Sequence, residues 1–391
     1  MNNERLKSNI YQKLFIIYLI PFLLSLQGCS QNTNTENEEF NYKPEKAKNQ
    51  SYLKPPATSI LGIENDGNWG VFSKQSGINA IKAWDFSMGN RQIVVAIVDT
   101  GLDIHHPFVK NSLWKGYEKG KVIHGWDMVT NSDFMEDDLG HGTHIAGIIS
   151  GQIDMKNKIS GIAPNVSIMP IRYYSVKGPS YGNLERAIKA LNFAIDHGAR
   201  IINYSGGGTD FSADEFNAIK RARDKGILVV AAAGNKHHDS ALDKYYPANY
   251  KLDNIISVAS INSDGEILQS SNYSEKVVDV AAPGENILSS VPTGYDYMTG
   301  TSQSTAFVSG IAALILSEKP DLSPQQVRAI IMNSVDKTSR LRHKVISGGK
   351  VNAFAAVKLA LMEKRQCDIP DFIYEVENNS RQPALTIKYS K

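Results

Sequence analysis

Four short motifs carry residues able to perform acyl transfer. "VVAIVDTGLD" ends an apolar run on Asp99, and "LGHGTHIAGII" sets His141 between two glycines at the mouth of a helix. "VVAAAGN" places Asn235 just past another apolar run, and "GTSQSTAFVSG" puts Ser302 at the start of a helix. A serine hydroxyl is a poor nucleophile until an imidazole accepts its proton, and a buried carboxylate must hold that imidazole in the right tautomer. Ser302, His141 and Asp99 fill those roles. The reaction also needs donors aimed at a developing oxyanion, which Asn235 and the backbone N–H of Ser302 at a helix N-terminus supply.

Several hydroxyls crowd the segment "MTGTSQSTAFVSGIAALIL", Met298 to Leu316. Helical residues rotate by about 100° each, so Ser304 lies about 200° around from Ser302 and faces away if Ser302 faces a cleft. Taken singly, Asp99, Asn235 and Ser302 read as a helix cap, a turn residue and an N-cap. Their joint occurrence reverses that. His105, His106, His237 and His238, and the pair His141 and His144, invite a metal reading, but "HGTHI" lacks the Glu of the "HExxH" zinc peptidases and no paired cysteines assist, so no metal site is assigned. His144 reads as a packing residue. A binding protein without catalysis is the remaining alternative, and the filled chemical positions argue against it.

These residues need a frame. "QIVVAIV" (92–98), "VSIMPI" (166–171), "RIINYS" (200–205), "ILVVAAA" (227–233) and "NIISVAS" (254–260) are short continuous apolar runs, the pattern of strands covered on both faces. Leu184, Ala187, Ile188, Leu191, Ala194 and Ile195 recur at helical spacing and stop at Gly198. Ser212 with Glu215 reads as a capping box, and Ser323, Pro324 and Gln326 open a further helix. The alternation implies an α/β fold, a doubly wound, mostly parallel sheet with helices on both faces. In such sheets ligands gather at the carboxyl ends of the strands, where Asp99 and Asn235 fall.

The 391 residues, 42% of them hydrophobic, with a formal net charge of +2, suffice for a sizeable core and show no bias toward nucleic acid. At the N-terminus, Arg5, Lys7 and Lys13 precede the uncharged run "LFIIYLIPFLLSLQGCS", short for a membrane span of about 20 residues but suited to a signal peptide. The "LQGC" that follows resembles the lipobox of bacterial lipoproteins, although Gln27 departs from its small or apolar residue, and this implies lipidation of Cys29 and a membrane anchor in the cell envelope, or secretion without it. The expected organisation is a signal at 1–28, a disordered polar tether at 29–56, a catalytic domain at 57–361 and an extension at 362–391. With Cys29 in the export signal, Cys367 has no partner, and a disulfide framework is not expected.

"AIVDTGLDIHHP", "GHGTHIAG", "GIAPNVSIMPIR", "INYSGGG", "VVAAAGN", "YYPANY" and "GTSQSTAFVSG" resemble, in order, the signature segments of the subtilisin-like serine peptidases. "GGKVNAFAAVKLA" is similar to that family's closing helix. The resemblance implies a serine endopeptidase that needs no cofactor for its chemistry. It implies that Ser205, Gly206 and Gly207 form one wall of the cleft and Ser180, Tyr181 and Gly182 the other, clamping a protein or peptide substrate as an added strand. It makes Asn203 a structural residue beside the cleft and Tyr246–Pro247 a pair whose bond is usually cis. It also puts Lys236 and Tyr245 at the pocket for the residue before the cleaved bond. Tyr245 is expected to fill part of that slot and Lys236 to favour a small or acidic side chain. Ala306 stands where the family normally has Pro, which implies tolerance. Phe108 stands where many members carry a calcium-binding Asp, and "GQIDMKNKIS" lacks a convincing set of oxygen ligands, so calcium at that position is not expected. The stretch after Cys29 is shorter and more polar than the family's folding-assistant propeptide, and none is expected.

Overall fold

A computed structural model describes residues 67–153, 159–178 and 181–362. The expected export signal with Cys29, the expected tether, the extension from 363 onward and Ser180 of the expected cleft wall lie outside the described residues.

The apolar runs become strands because each is buried on both faces. β1 (Val94–Asp99) is followed by a hairpin of β2 (Gly116–Glu118) and β3 (Lys121–Ile123). Next come β4 (Trp126–Asp127), β5 (Ser167–Arg172), β6 (Ile201–Tyr204), β7 (Leu228–Ala232), β8 (Ile255–Ile261) and β9 (Val280–Pro283). A second hairpin, β10 (Ile287–Val291) and β11 (Gly294–Met298), precedes the short β12 (Asp336–Lys337) and β13 (Gly349–Lys350). The main sheet has nine strands in the order β12-β13-β9-β8-β7-β6-β1-β5-β4. From β13 to β4 every pairing is parallel, and only β12 runs against its neighbour. The five expected strands are all present, shifted by a residue or two at their ends. The hairpins have no comparable apolar run: Tyr117, Val122 and Tyr297 are exposed.

Among the described residues eight α-helices connect and cover the sheet: α1 (Trp69–Phe72), α2 (Ala80–Ala83), α3 (His141–Ser150), α4 (Asn183–Asp196), α5 (Ala213–Asp224), α6 (Thr301–Glu318), α7 (Pro324–Asn333) and α8 (Ala353–Met362). One core packs α3, α6, α7 and α8 on one face, and a second packs α4 and α5 on the other. α6 is buried from Thr301 to Leu316. Its Phe307 is fully buried and lies against Gly70 of α1, so truncating that ring should cost about 3–5 kcal/mol.

Two helix-start expectations need correcting. Leu184, counted in the apolar stripe of α4, is 45% exposed, while Ala187, Leu191, Ala194 and Ile195 are buried. Ser212 does cap α5 by accepting the Glu215 N–H at 3.2 Å, but the Glu215 carboxylate does not complete a box. It accepts instead from the Tyr204 and Tyr250 hydroxyls at 2.9 and 2.8 Å, and burial pushes its pKa up. Tertiary partners outcompete the local cap. At α7 the box is complete, with Ser323 and Gln326 bonded reciprocally and Pro324 in the first turn.

Candidate active site

Asp99 is the last residue of β1 and only 4% exposed. Its Oδ1 accepts the backbone N–H of Thr100 at 2.8 Å and lies 2.6 Å from His141 Nδ1. An ionised carboxylate only accepts, so Nδ1 carries the proton and donates, which leaves Nε2 unprotonated in the neutral ring. The His141 side chain is 25% exposed. Burial works against its charged form, but the charge and hydrogen bond of Asp99, with the charge of Asp137, outweigh it and hold the pKa above its ordinary value.

His141 opens α3, and sequence reasoning missed the residue that fixes this helix start. Asp137 Oδ1 accepts from the Thr100 hydroxyl at 2.7 Å and the Gly140 N–H at 2.8 Å. Its Oδ2 accepts from the Thr143 N–H at 2.8 Å and the Thr143 hydroxyl at 2.6 Å. The Thr100 hydroxyl in turn accepts the Gly142 N–H at 2.9 Å, so β1 and α3 are joined directly beside the Asp99–His141 pair. The available signal was an acid four residues before His141, where negative charge favours a helix N-terminus. The glycines are steric necessities: a Cβ on Gly142 would lie 2.1 Å from the Gly101 carbonyl oxygen, and one on Gly101, at φ +111°, would lie 1.7 Å from that of Glu136.

Ser302 sits in the first turn of α6 and is 8% exposed. Its hydroxyl donates to the Ser205 carbonyl at 3.2 Å, and no described hydrogen bond joins it to His141. Ser304 points elsewhere, donating to the carbonyls of Ala282 and Pro283 at 2.9 and 3.0 Å. Farther along α6, the Ser309 hydroxyl donates to Asn203 Oδ1 at 2.8 Å, and Asn203 Nδ2 donates to the Ser205 hydroxyl at 2.9 Å. Asn203 is fully buried and ties α6 to the segment 205–207 that follows β6.

Asn235 follows β7 and is exposed. Its Oδ1 accepts from the Thr301 N–H and hydroxyl at 2.9 and 3.0 Å, which fixes the amide so that Nδ2 faces out beside Gly300. Gly206 and Gly207 make no described backbone hydrogen bond, and Gly208 pairs with Tyr246. Tyr181 is 80% exposed, and Gly182 caps α4 in a left-handed conformation. The Tyr173 hydroxyl abuts Gly206. The Tyr245 ring lies against both Gly207 and Gly234, whose Cβ positions would fall 2.7 and 3.0 Å from it. Lys236 is exposed and has no described ion pair; its N–H donates to Asn272 Oδ1 at 3.0 Å. The Tyr246–Pro247 bond is cis.

His144, His106 and Phe108 have packing environments, whereas His105, His237 and His238 are exposed. His144 is fully buried, with Nε2 near the carbonyls of Ile287 and Asp296 at 2.9 and 3.2 Å, and burial pulls its pKa down to about 4. His106 Nε2 lies 3.0 Å from the Gly294 carbonyl, and the buried Phe108 ring stacks edge-on with Tyr295.

Residues 90–353 match the Subtilase family, Peptidase S8. Thermitase of Thermoactinomyces vulgaris is 38% identical over 290 residues, which cover 73% of this chain and 96% of that protein. Subtilisin-like protease 2 of Plasmodium falciparum is 31% identical over 410 residues, covering 100% of this chain; the chain spans only 29% of that relative's length. Among solved structures, proteases from Pseudoalteromonas arctica give a TM-score of 0.63 at 28% identity, covering 75% of this chain and 97% of theirs. Fervidolysin from Fervidobacterium pennivorans, a keratinolytic enzyme related to subtilisin, gives 0.62 at 28% identity, covering 74% of this chain and 45% of that one. With its strand-end residues carried on the same parallel sheet as these proteases, and the family pattern met over residues 90–353, the chain belongs to the subtilase family of subtilisin-like serine peptidases.

Proposed function

We propose that the protein is a serine endopeptidase that cleaves proteins through an acyl-enzyme on Ser302. The observation that carries this reading is the 2.6 Å contact of His141 Nδ1 with the buried Asp99, which leaves Nε2 as a base. The Ser302 hydroxyl turns from the Ser205 carbonyl toward His141, and catalytic contacts of this kind commonly tighten only when substrate binds. Oγ attacks the scissile carbonyl carbon as its proton passes to Nε2. The resulting oxyanion is held by Asn235 Nδ2 and the Ser302 N–H. Collapse breaks the C–N bond, and Nε2 gives its proton to the leaving amine. Water then attacks the acyl-serine by the same steps, releasing the acid and restoring Oγ–H. Each of these steps uses groups of the protein and water, with no cofactor taking part.

The substrate pairs with the edge at Ser205, Gly206 and Gly207 as an added strand and is bounded on the other side by the segment of Ser180, Tyr181 and Gly182. Tyr245, pressed against Gly207 and Gly234, narrows the slot for the residue before the cleaved bond, and Lys236 lies at its mouth. Small or acidic residues are favoured there. Cys29 is lipidated and becomes the mature N-terminus, holding the enzyme at a membrane of the cell envelope. Mass spectrometry of the mature protein should find a diacylglyceryl-modified Cys29, and an unmodified N-terminus elsewhere rejects the anchor.

A serine-reactive fluorophosphonate tests the central claim. Labelling should occur in the wild type and vanish in Ser302→Ala. A protein that binds peptides but neither labels nor cleaves them would be a binding lipoprotein on this fold.

A further inference from the structure

His141 is the first residue of α3, a poor place for a ring that must become positive. The free N–H groups and the dipole of a helix put partial positive charge at its N-terminus, which opposes an imidazolium. The N-cap is Gly140, which has no side chain to offset that charge. Asp137 takes the role from outside the helix. Its carboxylate accepts the N–H groups of Gly140 and Thr143, both at 2.8 Å, and the Thr143 hydroxyl at 2.6 Å.

The fourth bond of Asp137 reaches the other half of the pair. The Thr100 hydroxyl donates to its Oδ1 at 2.7 Å while accepting the Gly142 N–H at 2.9 Å, and the Thr100 N–H donates to Asp99 Oδ1 at 2.8 Å. An ionised carboxylate has about four lone-pair sites, and here all are filled. Asp137 thus ties the residue after Asp99 to residues on both sides of His141. The segment that carries it is anchored in turn, because the buried side chain of Asp138 lies 3.1 Å from Nη2 of Arg172, itself buried at the end of β5.

The charged and titratable groups that act on the imidazole are Asp99 on β1, Asp137 and, one turn along α3, His144. Burial pulls the His144 pKa down to about 4, so that ring carries no charge near neutral pH. Both carboxylates favour the charged form of His141, Asp99 by its charge and a hydrogen bond and Asp137 by its charge alone.

We propose that Asp137 is a positioning residue of the reaction, one that offsets the positive end of α3 at His141 and locks α3 to β1, so that the imidazolium formed when His141 takes the Ser302 proton is stabilised where Asp99 holds it. The proposal rests on the endopeptidase reading above. It assigns the Asp137 charge to the transition state as well as to the fold, because its attraction for the ring grows as the ring becomes positive.

The test has two readouts, both on the full chain. Nuclear magnetic resonance follows the titration of the His141 ring in a Ser302→Ala background, where no turnover is needed. Kinetics across pH follows the protein with Ser302 intact, with active sites counted by fluorophosphonate titration. Asp137→Asn keeps the size and removes the charge. It should move the His141 midpoint to lower pH, carry the acid limb of kcat/KM the same way, and lower kcat per active site about 10-fold or more with KM changed by less than about 2-fold. Asp137→Glu, which restores the charge one methylene farther out, should return the midpoint toward the wild type. Should Asp137→Asn fail to fold, Asp137→Ser, which keeps an acceptor for the helix N–H groups, gives the same comparison. The proposal is overturned if the neutral variant leaves the midpoint in place, if its kcat per active site is unchanged, or if its loss lies wholly in KM or in the number of active sites. An inactive wild type would instead strike the endopeptidase reading, while the ring titration still decides whether Asp137 acts on His141.

Discussion

Asn235 Oδ1 accepts the backbone N–H of Thr301 at 2.9 Å, one residue before Ser302. This bond does for the amide what Asp99 does for the imidazole: it fixes which atom is engaged and which is left over. Asn235→Ala should lower kcat by about 100-fold or more with little change in KM, because the Nδ2 donor matters only once negative charge develops on oxygen. Asn235→Asp keeps the acceptor for Thr301 but presents a carboxylate to the oxyanion, and should fall at least as far. Steady-state kinetics with one peptide checks both, and an unchanged kcat in either variant removes Asn235 from the site.

The two serines at the start of α6 should separate cleanly. Ser302→Ala should abolish nearly all turnover with little loss of stability. Ser304→Ala should retain turnover while losing about 1 kcal/mol, since its hydroxyl serves only the Ala282 and Pro283 carbonyls. Denaturant unfolding run beside activity measures both. The reverse pattern would move the nucleophile.

Tyr245 governs the size of the slot in the proposed specificity model. Tyr245→Gly should shift preference from small toward large apolar residues before the cleaved bond, and one added methylene group is worth about 1–3 kcal/mol there. Lys236→Glu should reduce cleavage after acidic residues by no more than the roughly 1 kcal/mol an exposed charge supplies. Matched peptides varied at that single position give the ranking. Best cleavage of Phe or Arg by the wild type sinks the model.

The two histidines of α3 titrate in opposite directions. The proposed mechanism needs neutral His141, and its pKa is raised, so the acid limb of kcat/KM should lie above the ordinary histidine value of about 6.5. A limb below that value contradicts the Asp99 contact. The same shift adds stability that is present below about pH 6.5 and lost as pH rises through the folded value. His144 behaves inversely: its folded pKa is about 4, so its contribution is present above about pH 6.5 and is lost as pH falls toward 4, on the order of 3 kcal/mol. Unfolding free energy measured across that window should decline less steeply in His144→Gln.

Much of this protein was legible in its sequence because buried parallel strands need unbroken apolar runs, and five such runs became β1, β5, β6, β7 and β8. The chemical residues were legible for a related reason. Asp99, His141, Asn235 and Ser302 stand at the ends of strands or the starts of helices, positions that local punctuation marks. Local signals lost wherever a distant partner offered more. Glu215 sits where a capping box wants it, yet Tyr204 and Tyr250 claim its carboxylate. Asp137 and Asp138 are adjacent acids in the sequence, and nothing local says that one holds the α3 helix while the other is buried against Arg172. The fit of Tyr245 between Gly207 and Gly234 joins three segments that no pattern of period 2 or 3.6 connects. Sequence determined which groups could react and on which elements they ride, because propensity and periodicity act between neighbours. Tertiary structure alone decided how they are aimed and what Tyr245 packs against, because those depend on side chains that meet only when the sheet has assembled.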